Sequence, residues 1–342
     1  MKVVKVKRKF DFEIKEVDSL SPQQNEVLVK VNYCGVCGSD IHYAEFMPHY
    51  VNVGHEISGK VDKVGPNVTM YKPGDTVVIH SSTWCGQCEN CMNGFPLLCD
   101  QWGGGFTTPC HGFSEYVVVE SKYLMKVDKI SPLQATLIEP LGVAVETVLT
   151  SEISFGHKVA ILGPGPIGLM MVLICKKRGA TKVYLTGLKV DEKRLQRGLE
   201  LGADEVFLAE EVDPVAGIKR LHPEGVDSTI ITAHPKLVNQ AIEMTKFGGI
   251  ITLLAIGAPG EENVTLNVHE LHTKKQQLRS SQPNPNGYFP LCKRLLEEGV
   301  IDYKKIITHI FYGAEEVEKA FKFAHEKKDG VIKAVVKMSV ND

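Results

Sequence analysis

Cysteine, histidine and glutamate recur in this chain at spacings suited to metal. Cys37-Gly38-Ser39-Asp40-Ile41-His42 follows an apolar stretch, and eighteen residues past Cys37 comes Gly54-His55-Glu56, with Gly59 and Gly65 beyond it. A thiolate, an imidazole and a carboxylate make an open zinc site, because three protein ligands leave one position for water or substrate. Zinc in such a site lowers the pKa of the oxygen bound there. An alcohol activated in this way can pass a hydride to a nicotinamide. Taken singly these residues are weak signals. Cys34-x-x-Cys37 alone reads as a redox pair, and a His-Glu pair is common on surfaces.

A second cluster is denser. Cys85-x-x-Cys88-x-x-Cys91 is followed, after seven residues, by Cys99. Four thiolates on one short loop suit a closed, tetrahedral structural zinc site, with no position left for chemistry. An iron–sulfur cluster and a nucleic-acid zinc knuckle are the competing readings. The chain carries nine cysteines, an odd number, and four of them lie in this loop. That pattern favours metal over disulfides.

Gly163-Pro164-Gly165-Pro166-Ile167-Gly168 is a G-x-G-x-x-G run between an apolar strand and a helix. In that context the glycines permit a tight turn, close approach of a pyrophosphate and close helix–strand packing. The helix N-terminus adds free N–H groups and a positive dipole. The next strand ends Tyr184-Leu185-Thr186-Gly187, so Gly187 stands where an NAD-binding fold carries the acid for the ribose 2′-hydroxyl. Lys189, Lys193 and Arg194 follow. A missing acid and nearby cations favour NADP, although Asp191 could turn to the ribose and restore NAD.

The elements that must position these groups fall into two textures. Before residue 153 the chain is β-rich, with Val-rich runs at 26–31, 76–80 and 114–119 cut by Gly, Pro, Asn and Asp. After it, strands at 157–162, 182–186, 226–232 and 249–255 alternate with helices at 166–178, 191–201 and 235–246. Alternation of that kind implies a parallel sheet covered on both faces. A breaker cluster at 282–287 precedes helices at 289–298 and 314–326 and a closing strand at 332–338. The expected fold is therefore α/β, with a catalytic domain formed by 1–152 and 287–342 and a dinucleotide-binding domain at 153–286. The chain has 342 residues, enough for two cores. Its net charge of −2 gives no field for nucleic acid or an anionic membrane, and no apolar window has the length of a membrane helix. The N-terminus alternates Lys/Arg with Val and reads as a strand, not a signal peptide, so a cytoplasmic location is expected.

These motifs together resemble the zinc-containing medium-chain dehydrogenases across nearly the whole chain. The closest pattern is the sorbitol (iditol) and threonine dehydrogenase branch. Cys37-Gly38-Ser39-Asp40-Ile41-His42-Tyr43 and Leu137-Ile138-Glu139-Pro140-Leu141-Gly142 look like the polyol form, and Gly54-His55-Glu56-x-x-Gly59 with Gly65 is the general signature. The resemblance implies a GroES-like β-rich domain carrying zinc and a Rossmann domain, with the active site in the cleft. It implies two zinc ions per chain. Cys37 and His55 would be ligands of the catalytic ion, Glu56 a ligand or a group exchanging with water, and Glu139 a further carboxylate there. Cys85, Cys88, Cys91 and Cys99 would hold the structural ion. Ser39 would pass the alcohol proton outward, with His42 continuing the relay. Gly163, Gly165, Pro166, Ile167 and Gly168 would hold the pyrophosphate, with Gly187, Lys189 and Arg194 at the ribose. The implied substrate is a small secondary alcohol, a polyol, cyclitol or sugar-derived alcohol, and the implied assembly a homo-oligomer, tetramer or dimer. A threonine-type amino alcohol dehydrogenase is the nearest rival. A non-catalytic zinc- and dinucleotide-binding relative is the rival from another class. The stretch from Cys37 to His55 is shorter than in the polyol enzymes, which bears on substrate identity.

Overall fold

The computed structural model describes residues 1–101, 103, 110–281 and 284–339. Of the breaker cluster at 282–287, Gln282 and Pro283 lie outside the described residues. Two compact units form: Met1–Gly142 with Asn284–Asp342, and Val143–Pro283. The division falls inside the helix Ile138–Thr150 rather than at the change of texture near residue 153. That helix holds Pro140 and Gly142 in its first half and is apolar around most of its circumference. Neither helical periodicity nor a clean start signal marks it in the sequence.

The first unit is built on strands. β1 (Lys2–Lys7) pairs with β2 (Asp11–Glu16) and with the two-residue β4 (Val51–Asn52). A larger sheet has β3 (Glu26–Gly35) near its middle. On one side of β3 come β5 (Glu56–Val64), β6 (Thr76–Ile79) and β8 (Leu124–Lys126). β7 (Tyr116–Glu120) also pairs with β3. The Val-rich runs anticipated at 26–31, 76–80 and 114–119 are the cores of β3, β6 and β7. Their alternate side chains, such as Val27, Val29, Val77, Val117 and Val119, share one buried cluster with Phe113 and Phe321. Period-2 alternation thus puts one face of each strand into the core.

The second unit is a parallel sheet. β9 (Lys158–Leu162), β10 (Lys182–Gly187), β11 (Glu205–Leu208), β12 (Val226–Ile231), β13 (Thr245–Leu253) and β14 (Gln277–Ser280) lie in the order β11-β10-β9-β12-β13-β14. Every pairing in it is parallel. The chain starts in the middle, walks to one edge, and returns to fill the other half, which is the doubly wound dinucleotide-binding order. β11 and β14 have four residues each, and β14 has a single apolar side chain, so they carry little sequence signal. Residues 245–246, read from sequence as the end of a helix, instead begin β13, because the helix stops at Met244.

The chain then returns to the first unit. β15 (Ile307–Tyr312) and β16 (Lys333–Lys337) pair in parallel, and β16 lies antiparallel to β3. No helix among the described residues is long and apolar enough to cross a membrane.

Candidate active site and metal centres

Three strand ends converge on the first cluster. β3 and β5 are antiparallel with Gly35 opposite Glu56, so Cys37, just past β3, meets the start of β5. Glycine is required at 35, since a Cβ there would collide with the Glu56 carboxylate. The ligand atoms of Cys37, His55 and Glu56 lie within 4.8 Å of one another. Thiol, imidazole and carboxylate gathered on that scale can hold one ion, and this is the donor set of an open zinc site.

The surroundings of this trio are charged, buried and paired. Cys37 caps the helix Gly38–Phe46, whose Asp40 reaches back so that Oδ2 accepts the Cys37 N–H at 3.2 Å. Asp40 Oδ1 accepts the Gly54 N–H at 3.0 Å and stands 3.5 Å from His55 Nδ1. This contact orients the ring and leaves Nε2 for a metal, the usual arrangement of a metal-binding histidine. Asp40 is only 1% exposed. Burial alone would raise its carboxyl, but His55 and the two backbone N–H groups outweigh that and hold it below the ordinary range. Burial likewise lowers the His55 imidazolium, yet the charges of Asp40 and Cys37 hold it well above its usual value. The pocket is negative enough to retain a proton, and a divalent cation answers the same charge.

Lys333 completes the trio from β16. The register Val335 opposite Gly35 sets Lys333 beside Val36 and Cys37. Its ammonium donates to both Glu56 oxygens, at 2.6 and 2.8 Å, and to the Val36 carbonyl at 3.0 Å. Burial acts to lower its pKa, and Glu56 more than offsets this. Neither Asp40 nor Lys333 was singled out from the sequence. For Asp40 the signal was present, three residues past a cysteine at a helix start. For Lys333 it was a lysine inside an apolar strand.

The remaining expected residues fall as follows. Glu139 begins the helix Ile138–Thr150 and is buried, and it stands outside the three-residue ligand set. Burial pushes its carboxyl up to about 7; the charge of His55 lowers it and that of Glu56 raises it. Ser39 and His42 are one turn apart on the helix Gly38–Phe46, both half-buried, with the His42 ring 4.8 Å from Phe46. That spacing puts the two on one face of the helix.

The four sulfurs of Cys85, Cys88, Cys91 and Cys99 also lie within 4.8 Å of one another. Cys85 and Cys99 are 3.6 Å apart, and Cys88 and Cys99 3.8 Å. A tetrahedron with zinc–sulfur bonds of about 2.3 Å has edges of about 3.8 Å, so the thiols fit that ion. The Gln87 and Cys88 N–H groups point at the Cys85 sulfur and draw its thiol down to about 7. The root of the loop is held by Trp84, packed between His80 and Tyr123, whose hydroxyl donates to the Trp84 carbonyl at 3.1 Å.

In the second unit the glycine-rich loop joins β9 to the helix Pro166–Lys177. Gly163 has φ of +126°, open to glycine without strain, and a Cβ on Gly168 would strike the Gly163 carbonyl. Gly165 caps the helix and faces open space where a Cβ would stand. Nothing of the protein demands glycine at 165, so its small size is left to serve a ligand that approaches the backbone. Pro166 and Ile167 open the helix, with proline at its favoured first position. Gly187 ends β10, while Lys189 and Arg194 follow on the next turn and helix.

Comparison with known proteins agrees with this geometry. Residues 23–129 match the family described as alcohol dehydrogenase GroES-like domain, and residues 166–294 that described as zinc-binding dehydrogenase. The chain belongs to the zinc-containing medium-chain alcohol dehydrogenases. An L-threonine 3-dehydrogenase of Bacillus licheniformis is 33% identical, covering 90% of this chain and 91% of its own. A sorbitol dehydrogenase of Bacillus subtilis is 30% identical, over 91% and 90%. A solved zinc-binding dehydrogenase of Sinorhizobium meliloti bound to NADP superposes with a TM-score of 0.87 at 27% identity, over 98% of each chain. The GroES-like domain of this alcohol dehydrogenase thus carries both thiol clusters, and its Rossmann-type unit carries the glycine-rich loop. The protein is an oxidoreductase of the zinc-dependent alcohol dehydrogenase class.

Proposed function

We propose that this enzyme transfers a hydride between NAD(P) and a small secondary alcohol of the polyol, cyclitol or sugar-derived kind. The observation that carries the reading is one donor set and one loop in the same chain: Cys37, His55 and Glu56 within ligand distance, and Gly163–Gly168 opening a helix after the first parallel strand. When bound, the zinc acts as a Lewis acid on the alcohol oxygen, and the nicotinamide takes the hydride. The chain's own residues do the rest. Cys37 and His55 hold the ion, Asp40 fixes the His55 ring, and Lys333 keeps the Glu56 carboxylate in place. Ser39 accepts the proton of the alcohol and hands it to His42, one turn nearer the end of the helix; a hydroxyl suits that task because it both donates and accepts. Glu139 adds a second buried carboxyl to the site. Cys85, Cys88, Cys91 and Cys99 hold a second, structural zinc, which fastens a loop that has no apolar core of its own. The Gly163–Gly168 loop and the helix it opens hold the pyrophosphate. The same reading includes a homo-oligomer, tetramer or dimer, in the cytoplasm.

The test is nicotinamide reduction by the zinc-loaded protein, followed by the absorbance of the reduced nicotinamide, with NAD and NADP in parallel and a panel of polyols, cyclitols and L-threonine. Turnover of polyols or cyclitols with L-threonine inert is the expected result. Turnover of L-threonine alone would replace the polyol reading with the amino alcohol one.

A further inference from the structure

Strand β10 ends at Gly187, the place where a dinucleotide-binding fold carries the acid for the adenosine ribose. No side chain fits there. A Cβ on Gly187 would lie 2.8 Å from Pro164 Cγ in the glycine-rich loop and 3.3 Å from the Asp191 Cβ. Pro164 is a rigid ring and cannot swing aside as a flexible side chain would. The volume of the absent side chain is therefore bounded by the loop on one side and by Asp191 on the other. A 3-10 turn over Lys189–Asp191 makes this possible by folding Asp191 back, its N–H donating to the Leu188 carbonyl at 2.8 Å.

We infer that Asp191 is the ribose-recognising acid of this chain, displaced from the strand end, and that the subsite takes the 2′-hydroxyl of NAD in preference to the 2′-phosphate of NADP. The inference rests on the dinucleotide-dependent reading above and sharpens it. It also reverses the lean to NADP that Gly187 and its neighbouring cations give in the sequence. Of those three cations Arg194 and Lys189 are engaged, whereas Lys193 is exposed. Arg194 is 7% exposed, with Nη1 3.4 Å from Asp191 Oδ1; Asp191 is itself 4% exposed, and its Oδ2 accepts the Leu188 N–H at 3.4 Å. The Lys189 ammonium stands 3.4 Å from Glu211 and 3.7 Å from Glu192. The Lys189 backbone N–H is taken by the Glu210 carboxylate. A phosphate monoester carries nearly two negative charges at neutral pH and would be repelled by the carboxylates of Asp191 and Glu210. A hydroxyl carries none, and it donates a charge-assisted hydrogen bond to a carboxylate.

The experiment is separate titration of the zinc-loaded protein with NADH and with NADPH, read by nicotinamide fluorescence and not by turnover. Wild type is expected to bind NADH tighter by about tenfold or more, the scale of one close charge repulsion. Asp191→Asn keeps the size of the residue and an oxygen for the Leu188 N–H. It should erase most of that ratio, and, because buried Arg194 loses its counter-charge, its melting temperature should fall below wild type. Should that variant fail to fold, Glu210→Gln, on an exposed side chain, should tighten NADPH while leaving NADH unchanged. Tighter NADPH binding by wild type would overturn the inference, as would an unchanged ratio in Asp191→Asn or no gain in Glu210→Gln. Binding of neither nucleotide by the folded protein would instead overturn the dinucleotide reading on which it rests.

Discussion

The two thiol clusters of the first unit differ in what surrounds them. The trio of Cys37, His55 and Glu56 sits at the ends of long paired strands, backed by two buried ions of opposite sign, Asp40 and Lys333. The four-cysteine loop is partly exposed, has two very short helices, and is braced by its own backbone N–H groups and by Trp84 at its root. The first cluster is thus held in shape by the fold, with or without an ion. On the proposed reading the second would depend on its ion for shape. A site that must leave a coordination position open needs protein to do the holding, whereas a closed site lets the metal do it.

The sharpest way to break this contrast is to remove one thiol from each. Cys37→Ser should lower turnover by about 10⁴-fold, since several kcal/mol of transition-state stabilisation depend on the ion, and leave the melting temperature near wild type. Cys88→Ser should lower the melting temperature and reduce zinc content from two ions per chain to one. Equal effects of both on stability and turnover would erase the distinction.

The buried pair offers the next largest effect. Lys333→Met leaves Glu56 buried without its cation and should cost about 3–5 kcal/mol in denaturant unfolding. Adding Glu56→Gln should recover most of that loss. A single variant as stable as wild type would show that the fold does not rely on the pair.

At the root of the cysteine loop, burial pushes His80 down to about 4, and its Nδ1 has no partner among the described residues. A histidine with a depressed folded pKa contributes stability that is whole above its unfolded value near 6.5 and is lost as pH falls toward 4. Between those values wild type should lose about 3 kcal/mol more than His80→Leu, which has no proton to take up. Melting curves across that range check it, and parallel pH profiles would contradict it.

Asp40→Asn should have the smallest effect. The amide keeps an oxygen for one of the two backbone N–H groups, turns its NH2 toward the other, and gives up the charge that faces His55. Zinc affinity at the first site should fall about 10–100-fold, read by competition with a chromophoric chelator, with the four-cysteine site unaffected.

How far the sequence revealed all this depended on distance along the chain. Cys37, His55, Glu56 and the four-cysteine loop were legible because metal chemistry demands particular residue types at short separations. β9, β10, β12 and β13 were legible because each carries a short run of β-branched or apolar residues bounded by breakers. Lys333 was not, since its partner is 277 residues away and only strand register brings them together. The placement of Asp191 was hidden for a related reason. Its nearness to the missing acid at 187 depends on a 3-10 turn and on Pro164, and no spacing rule encodes either. The helix Ile138–Thr150 was obscured by its own Pro140 and Gly142, although Glu139 within it was picked out by its motif.

The measurement that bears most directly on the central claim is graded removal of zinc, with metal content, turnover and NADH binding followed on one sample. Loss of the ion at Cys37, His55 and Glu56 should abolish alcohol oxidation and leave NADH binding intact, and restoring zinc should restore turnover. Turnover that persists after that site is emptied would contradict the assignment of the chemistry to these residues.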